Sequence, residues 1–483
     1  MDHFWAEDAT SVAAFVAKGE VSPEELLDAA LARVAALDPA LNAVVLLNEK
    51  AARAAIKNGL PDGPFRGVPF LLKDLGAEAR DFPSHNGSKL LANTQYTYDS
   101  YLYERIRNTG AVTFGRTTSP EGGIGAATEA AVYGGPTRNP WNLERTPGGS
   151  SGGAGAAVAA GIVPMAHGSD GGGSVRIPAS SCGLFGFKPT RARFSDGPSV
   201  GEGWAGMAID GFLSRSVRDN AAMMDACAGS ALGDPYAAPP MVEGYLASIA
   251  RPPRRLRIGI CDTTFTGAAI HPHCETAVHE TAKLLESLGH HVFPFVPKAD
   301  HDMMMHAWTR IVACGTALSI RHTVEARGKP LADGEIEGIS RGAIAYAKQF
   351  SGEDYLEAVG NIHTYGRQMA AVFSDCDILL SATLAEPPAR VGRFHHDRED
   401  FENYRIGKDG IFAYSPFCAA FNASGQPAAS VPLHWSPEGL PIGLHLAASF
   451  GNDEELISLC AELEQARPWA GRWPDLTRST LAN

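Results

Sequence analysis

Segments typical of β-strands alternate with segments typical of α-helices along this chain, and that alternation constrains its fold most. Residues 254–261 (RRLRIGIC) have the pattern of a strand, residues 273–288 that of a helix ending before Gly289, and residues 291–296 (HVFPFV) that of another strand. This order predicts a β-α-β unit. Further strands are predicted at 68–75, 111–118 and 162–170, and three more after residue 375. The sequence therefore predicts an α/β fold with a mostly parallel or mixed sheet.

Composition narrows the class of protein. The chain has 483 residues, of which 45% are apolar and 20% charged, so it can bury a large core without covalent staples. Its eight cysteines are scattered with no CxxC pair, which is typical of reduced thiols. A proline-rich stretch at 233–255 predicts a junction between a core and an inserted or second part.

Charge and hydropathy exclude several kinds of partner. The chain has 41 basic and 54 acidic residues, a net charge of −13, which argues against a nucleic-acid-binding surface. No apolar run reaches about 18 residues, so no transmembrane helix is predicted. The acidic start of the chain, MDHFWAEDAT, lacks the apolar core of a secretory signal. These features predict a soluble, cytoplasmic protein with no membrane partner.

Two adjacent serines lie among glycines in the stretch 147–161, PGGSSGGAGAAVAAG. A phosphate-binding P-loop is excluded because no Lys-Ser/Thr pair follows the glycines. A dinucleotide fingerprint is disfavoured because only a GxG fragment is present and no strand precedes it. Residues 148–152 match GxSxG, the nucleophile elbow of α/β-hydrolases, although that elbow also needs a preceding strand. From this stretch alone, a linker and an elbow both stay open.

Two other segments carry residues suited to nucleophilic chemistry. Ser174 follows three glycines in GSDGGGSVRIPAS (168–180), 24 residues after Ser150. Consecutive glycines let backbone N–H groups converge on one point, as an oxyanion hole requires, although a tight turn capping a helix fits equally well. Lys73 ends the apolar run GVPFLLKDL. Burial would lower the pKa of this lysine and make it a base for a serine, whereas a solvated edge charge is the plainer interpretation.

Together these segments closely resemble the amidase signature family. The resemblance rests on GVPFLLKD, PGGSSGG and GSDGGGSVRIPAS in that order, and it is weakest between residues 240 and 375. It implies a large mixed, twisted sheet covered by helices on both faces. It also implies one catalytic domain over 1–483, in which a more variable helical and β-α-β region at 233–375 shapes the substrate pocket. The implied activity is hydrolysis of carboxamide C–N bonds, with no cofactor and no metal.

The resemblance also implies roles for individual residues. Ser174 matches the nucleophile, Ser150 the bridging serine whose peptide bond is cis, and Lys73 the general base. The oxyanion hole matches the backbone N–H groups of Ser174 and the three glycines before it, Gly171, Gly172 and Gly173.

A supporting shell is expected around these residues. Asp170 and Arg176 are expected to form an ion pair that shapes the nucleophile loop, and Ser151 to hydrogen-bond within the site. Many members of the family carry a larger residue where this chain has Gly171, which predicts a looser loop here. Cys314 lies in the weakly matching region and is predicted to line the substrate pocket.

The substrate is predicted less narrowly. Residues 194–240 resemble the group of 6-aminohexanoate-cyclic-dimer hydrolases, which favours a cyclic or linear amide of an ω-amino acid as the small-molecule partner. The alternatives are the glutamine-hydrolysing component of an amidotransferase for tRNA transamidation, an aryl or fatty-acid amide hydrolase, and a non-enzymatic binding protein. A homodimer is compatible with the resemblance. The histidines and Cys274 at 271–279 are read as structural, not as metal ligands.

Overall fold

The computed structural model describes residues 4–477, and its centre is one eleven-stranded sheet. The first three residues of the acidic N-terminus lie outside the described range. The strands, in chain order, are β1 Val44–Val45, β2 Pro69–Lys73, β3 Val112–Thr117, β4 Met165–Asp170, β5 Phe185–Lys188, β6 Ile209–Ser214, β7 Arg257–Ile260, β8 His291–Pro294, β9 Ile378–Ala382, β10 Ala428–Trp435 and β11 Pro441–Ala448.

The sheet is mixed, as predicted. Its strand order is β1-β3-β2-β4-β6-β5-β10-β11-β9-β7-β8. Strand β2 runs parallel to β3 and β4, whereas β4 and β6, β5 and β6, β5 and β10, and β10 and β11 pair antiparallel. Strands β2, β3, β9 and β11 are buried along their whole length, which is expected where helices cover both faces of a sheet.

Sixteen α-helices surround the sheet in the described part of the chain. They are α1 Ala9–Ala17, α2 Pro23–Leu41, α3 Glu49–Asn58, α4 Tyr101–Asn108, α5 Gly152–Ala159, α6 Arg176–Cys182, α7 Val217–Cys227, α8 Tyr245–Ile249, α9 Pro272–Ser287, α10 His301–Arg327, α11 Gly338–Ala347, α12 Gly352–Asp375, α13 Phe401–Ile406, α14 Ile411–Tyr414, α15 Cys418–Ser424 and α16 Asp453–Ala466. Over residues 4–477, no helix is long and apolar enough to cross a membrane.

The β-α-β unit predicted at 254–296 is confirmed. Strands β7 and β8 are parallel neighbours, and α9 connects them. Strand β7 also pairs in parallel with β9, so this unit extends one edge of the same sheet. The rest of the 233–375 region is largely helical, and its long helices α10 and α12 pack against each other. The variable region therefore contributes both sheet edge and helical cover.

Candidate active site

The predicted catalytic residues come together where two neighbouring parallel strands, in the interior of the sheet, reach their carboxyl ends. Lys73 is the last residue of β2, and Asp170 is the last residue of β4, which pairs with β2 through Leu71 and Ala166. The carboxyl ends of parallel strands lie at the same end of the sheet, where the loops that follow can carry reactive groups. The loop after β4 leads through Ser174 into α6, and Ser150 lies in the loop just before α5.

Lys73 is fully buried and contacts two serine hydroxyls. Its Nζ lies 2.7 Å from Ser150 Oγ and 2.9 Å from Ser169 Oγ. Burial lowers the pKa of Lys73 to about 7, although the nearby carboxylates, Asp210 first, oppose the shift. The amine is therefore neutral in a substantial fraction of molecules at neutral pH and can accept a proton from Ser150. Sequence reasoning missed the contact with Ser169.

The two adjacent serines have different environments. The peptide bond between Gly149 and Ser150 is cis, as the resemblance implies. Ser151 donates its backbone N–H to the carbonyl oxygen of Ser174 at 3.1 Å, and its hydroxyl donates to the carbonyl of Ser169 at 3.3 Å. Ser151 therefore ties the loop of Ser150 to the loop of Ser174, which agrees with its expected place in the hydrogen-bonded shell.

The ion pair expected between Asp170 and Arg176 is present and completely buried. Arg176 donates from Nη2 to Asp170 Oδ1 at 2.8 Å and from Nε to Oδ2 at 2.9 Å. Burial opposes ionisation of Asp170, but the Arg176 charge outweighs it and holds the pKa of that carboxyl well below its usual range. Backbone N–H groups of Gly173 and Val175 also donate to the carboxylate. The pair thus fixes both ends of the Ser174 turn.

We expect Asp170→Asn to lower the free energy of unfolding by about 3–5 kcal/mol, because it leaves the buried Arg176 charge uncompensated. Denaturant titration measures the loss. Asp28→Asn is the matched control, because Asp28 pairs at 2.6 Å with Arg53 in a surface ion pair, where both side chains are largely exposed. That control should change stability by less than about 1 kcal/mol. Equal effects of the two substitutions would show that the Asp170–Arg176 pair does not hold the loop.

The three glycines before Ser174 do not contribute equally to the predicted oxyanion hole. The N–H of Gly173 donates to Asp170 Oδ1 at 2.8 Å, so this donor is already engaged, and its part in the hole stays a prediction. The N–H groups of Gly171 and Gly172 are not engaged in this way. The donors left for an oxyanion are therefore Gly171, Gly172 and Ser174.

Close packing around Gly171 argues against the looser loop expected there. A Cβ atom at Gly171 would lie 2.5 and 2.7 Å from two ring carbons of Trp204, so that ring occupies the space a side chain would need. The carbonyl of Gly171 accepts a hydrogen bond from Trp308 Nε1 at 3.1 Å. The two tryptophan rings pack edge to face, with centroids 5.8 Å apart. Tryptophan packing therefore braces this loop.

A large cavity of about 970 Å³ opens onto these residues. Its walls include Ser150, Ser169, Gly171 and Ser174 at one end. Most of the remaining lining is apolar or aromatic, including Leu75, Leu90, Leu91, Tyr98, Val200, Trp204, Ile311, Leu318, Ile336 and Tyr355. Glu121 and Glu202 line the cavity as well, whereas the described lining residues include no lysine or arginine. The cavity is thus suited to a neutral or amine-bearing molecule.

The predicted pocket residue Cys314 has a less direct position. It lies half-buried on α10, and its neighbours Ile311, Gly315 and Thr316 line the large cavity. Cys314 itself is not one of the lining residues. The sequence therefore pointed to α10, a helix that does line the cavity. A substrate contact by the Cys314 thiol stays a prediction.

A buried histidine beside Lys73 was missed from the sequence. The backbone N–H of Lys73 donates to His167 Nδ1 at 3.2 Å, so Nε2 carries the ring proton and faces Asp210 Oδ1 at 2.9 Å. Burial lowers the pKa of His167, which keeps the ring neutral. The pair braces the strand end that carries Lys73. A histidine in β4 has no motif around it, so only the sheet pairing reveals it.

The comparisons with known proteins agree with this geometry. A family model for amidases matches residues 25–457, which is most of the chain. The chain belongs to the amidase family. It is an enzyme that hydrolyses carboxamide C–N bonds.

Individual relatives resemble this amidase over nearly its full length. A 6-aminohexanoate-cyclic-dimer hydrolase of Paenarthrobacter ureafaciens is 38% identical over 482 residues, which cover 97% of each chain. A solved structure of a 6-aminohexanoate cyclic dimer hydrolase superimposes with a TM-score of 0.92 at 36% identity, covering 98% of this chain and 99% of the other. A solved bacterial aryl acylamidase of the amidase signature family gives a TM-score of 0.85 at 28% identity, covering 99% of both chains.

Proposed function

We propose that this amidase cleaves small amides through an acyl-enzyme on Ser174, with cyclic amides of ω-amino acids such as the 6-aminohexanoate cyclic dimer as the substrate class. The observation that carries the proposal is the contact of buried Lys73 with Ser150, 2.7 Å long, at the end of the cavity that Ser174 also lines. A buried amine with a pKa of about 7 is a base at neutral pH, and Ser150 is the group it can deprotonate.

The proposed reaction proceeds in two stages. Lys73 accepts the proton of Ser150, Ser150 accepts that of Ser174, and Ser174 Oγ attacks the amide carbonyl carbon. The carbonyl oxygen becomes negative and accepts hydrogen bonds from the N–H groups of Gly171, Gly172 and Ser174. When the C–N bond breaks, the proton returns through Ser150 to the departing amine. Water then attacks the ester, with Lys73 again as base, and releases the acid.

The substrate class rests on the relatives and on the cavity together. The relative in Paenarthrobacter ureafaciens and the superimposed structure are both named for the 6-aminohexanoate cyclic dimer. That dimer is a neutral ring with two amides and long apolar linkers. A cavity of about 970 Å³ with mostly apolar walls and no lysine or arginine in its described lining suits such a molecule. A homodimeric assembly and a cytoplasmic location stay predictions.

Release of a primary amine or of ammonia from four substrates tests the proposal. The purified chain alone is incubated with the 6-aminohexanoate cyclic dimer, its linear dimer, an aryl anilide and glutamine. We expect the cyclic dimer to have the largest kcat/KM, without any added protein. If glutamine is the one substrate of the four that is hydrolysed, and if its hydrolysis needs added partner proteins, the result would instead support an amidotransferase. Preferential anilide hydrolysis would contradict the proposed substrate class while leaving the serine mechanism in place.

A further inference from the structure

A second, much smaller cavity adjoins Ser174. Its volume is about 20 Å³, room for a single water-sized group. It shares Gly123, Ser174 and Trp204 with the large cavity, so the two spaces meet at the predicted nucleophile. The residues that line only the small cavity include Gly172, Trp308, Arg405, Phe412 and Ser415. Arg405 is the one cationic residue among its described lining.

Arg405 is buried against the rings of Trp308, Phe401 and Tyr404, and no acid in the described residues neutralises its charge. It lies near the end of α13, its accessible surface is 3%, and its guanidinium carbon stands 5.0 Å from the centre of the Trp308 ring. Its Nε and Nη2 are buried and make no hydrogen bond. No ion pair joins it to an acid anywhere in residues 4–477. Burial lowers its pKa to about 10, so it remains a cation at neutral pH.

Other buried arginines near the site are saturated. Arg176 donates to Asp170, Asn422, His445 and a carbonyl, and Arg116 donates to four carbonyl oxygens. Among the described arginines, only Arg405 has two buried nitrogens without a partner. Burying a charge without hydrogen bonds is costly, and such a group can complete its bonding with a bound water, ion or ligand.

The ligand must be a small acceptor that bears negative charge. The wall of the small cavity is otherwise mostly apolar, and Ser415 adds a hydroxyl beside that of Ser174. The large cavity has the opposite character, with Glu121 and Glu202 in its lining. An anion near Ser174 is therefore attracted to Arg405 and repelled elsewhere. Hydrolysis of an acyl-enzyme produces such an anion at Ser174, because the acyl carbon leaves as a carboxylate.

We propose that the small cavity is a carboxylate-binding site in which Arg405 holds one oxygen of the acid product released from Ser174. This inference rests on the proposed acyl-enzyme function for the origin of the acid, whereas binding of a carboxylate to the site does not depend on turnover. Arg405 then acts as a product-binding residue that no sequence motif marks. It makes the enzyme sensitive to carboxylates and insensitive to their neutral analogues.

Acetate, the linear dimer of 6-aminohexanoate and acetone are the probes, because opening the cyclic dimer at one amide gives the linear dimer as the acid product. We expect acetate and the linear dimer to raise the melting temperature and to inhibit competitively, whereas acetone and sodium chloride at equal ionic strength do neither. In Arg405→Met the inhibition constants of both carboxylates should increase about tenfold or more, since a charged hydrogen bond is lost. Arg310→Met is the matched control, because Arg310 also covers an aromatic ring, Phe350 at 4.5 Å, but lines neither cavity. It should leave both constants unchanged.

Arg405→Met should fold, because methionine keeps an unbranched apolar stem and removes an unpaired buried charge. Its melting temperature should equal or exceed that of the wild type, and Arg405→Lys should retain part of the inhibition. Acetate that inhibits Arg405→Met as strongly as wild type overturns the proposal, as does the lack of any acetate-dependent shift in the wild type. Binding of acetate without binding of the linear dimer overturns the assignment to product. If acetate raises the melting temperature but no amide is hydrolysed, the proposed activity is wrong and the carboxylate site stands.

Discussion

Replacing Ser174 by alanine should lower kcat for amide hydrolysis by at least about 10³-fold, with little change in stability. Ser174 is the predicted nucleophile, and no other serine within residues 4–477 both follows the glycine-rich loop and lines the two cavities. Without its Oγ no acyl-enzyme can form, and the remaining N–H donors contribute only binding and orientation. Amine release from the 6-aminohexanoate cyclic dimer, measured under saturating substrate, gives kcat directly.

Ser181→Ala is the matched control for this prediction. Ser181 is a buried serine in α6, on the helix that starts just after the nucleophile loop, and it lines neither cavity. Its removal should leave kcat within about twofold of the wild-type value. A Ser174→Ala enzyme that keeps more than a tenth of wild-type kcat would assign the attack to another group.

Replacing Lys73 by methionine should also lower kcat by about 10³-fold or more, and it should not lower the melting temperature. The base that deprotonates Ser150 is lost, so the relay cannot start. The folded protein holds the pKa of Lys73 at about 7, below its ordinary value of 10.5, so burying the ammonium costs stability below pH 7. Methionine removes that cost. Thermal unfolding at pH 6 measures the change, and a large loss of stability would contradict the assignment of a buried, neutralised amine.

The activity of the wild type should depend on pH through the same group. A base must be unprotonated, so kcat/KM should rise as pH increases through about 7 and level off above it. The contribution of Lys73 to the free energy of unfolding also rises with pH. Between about pH 7 and 10.5 the unfolded chain binds the Lys73 proton and the folded chain does not, so this group favours folding more as pH rises. A pH profile with no inflection near neutrality would show that another group limits the reaction.

Much of this site was predictable from short segments of the sequence. The glycine-serine segments and the lysine at the end of an apolar run are short, contiguous patterns, and each keeps its meaning without knowledge of the fold. The strands β2, β3, β4 and the β7–β8 unit were likewise predictable, because apolar runs bounded by turn residues mark buried strands. Strands β5 (FGFK) and β6 (IDGFLS) were missed, since glycine and charge interrupt their apolar pattern.

The features that sequence reasoning missed depend on contacts between distant segments. His167 is recognisable only beside Lys73 and Asp210, and Asn422 reaches Asp170 across 252 residues of chain. The role of Gly171 depends on Trp204, whose ring takes the space that a side chain would fill. Arg405 lies in a helix of ordinary composition, and its importance comes from the absence of a partner in its buried surroundings. No single-sequence pattern encodes such an absence.

Trapping the covalent intermediate shows whether an acyl-enzyme forms on Ser174. The enzyme is mixed with the 6-aminohexanoate cyclic dimer, quenched in acid within one turnover, digested with trypsin and analysed by mass spectrometry. The tryptic peptide of residues 146–176 contains Ser150, Ser151, Ser169 and Ser174, so fragmentation must locate the added mass. We expect the acyl group on Ser174. An acyl group on Ser150, or no covalent adduct under conditions of full turnover, would contradict it.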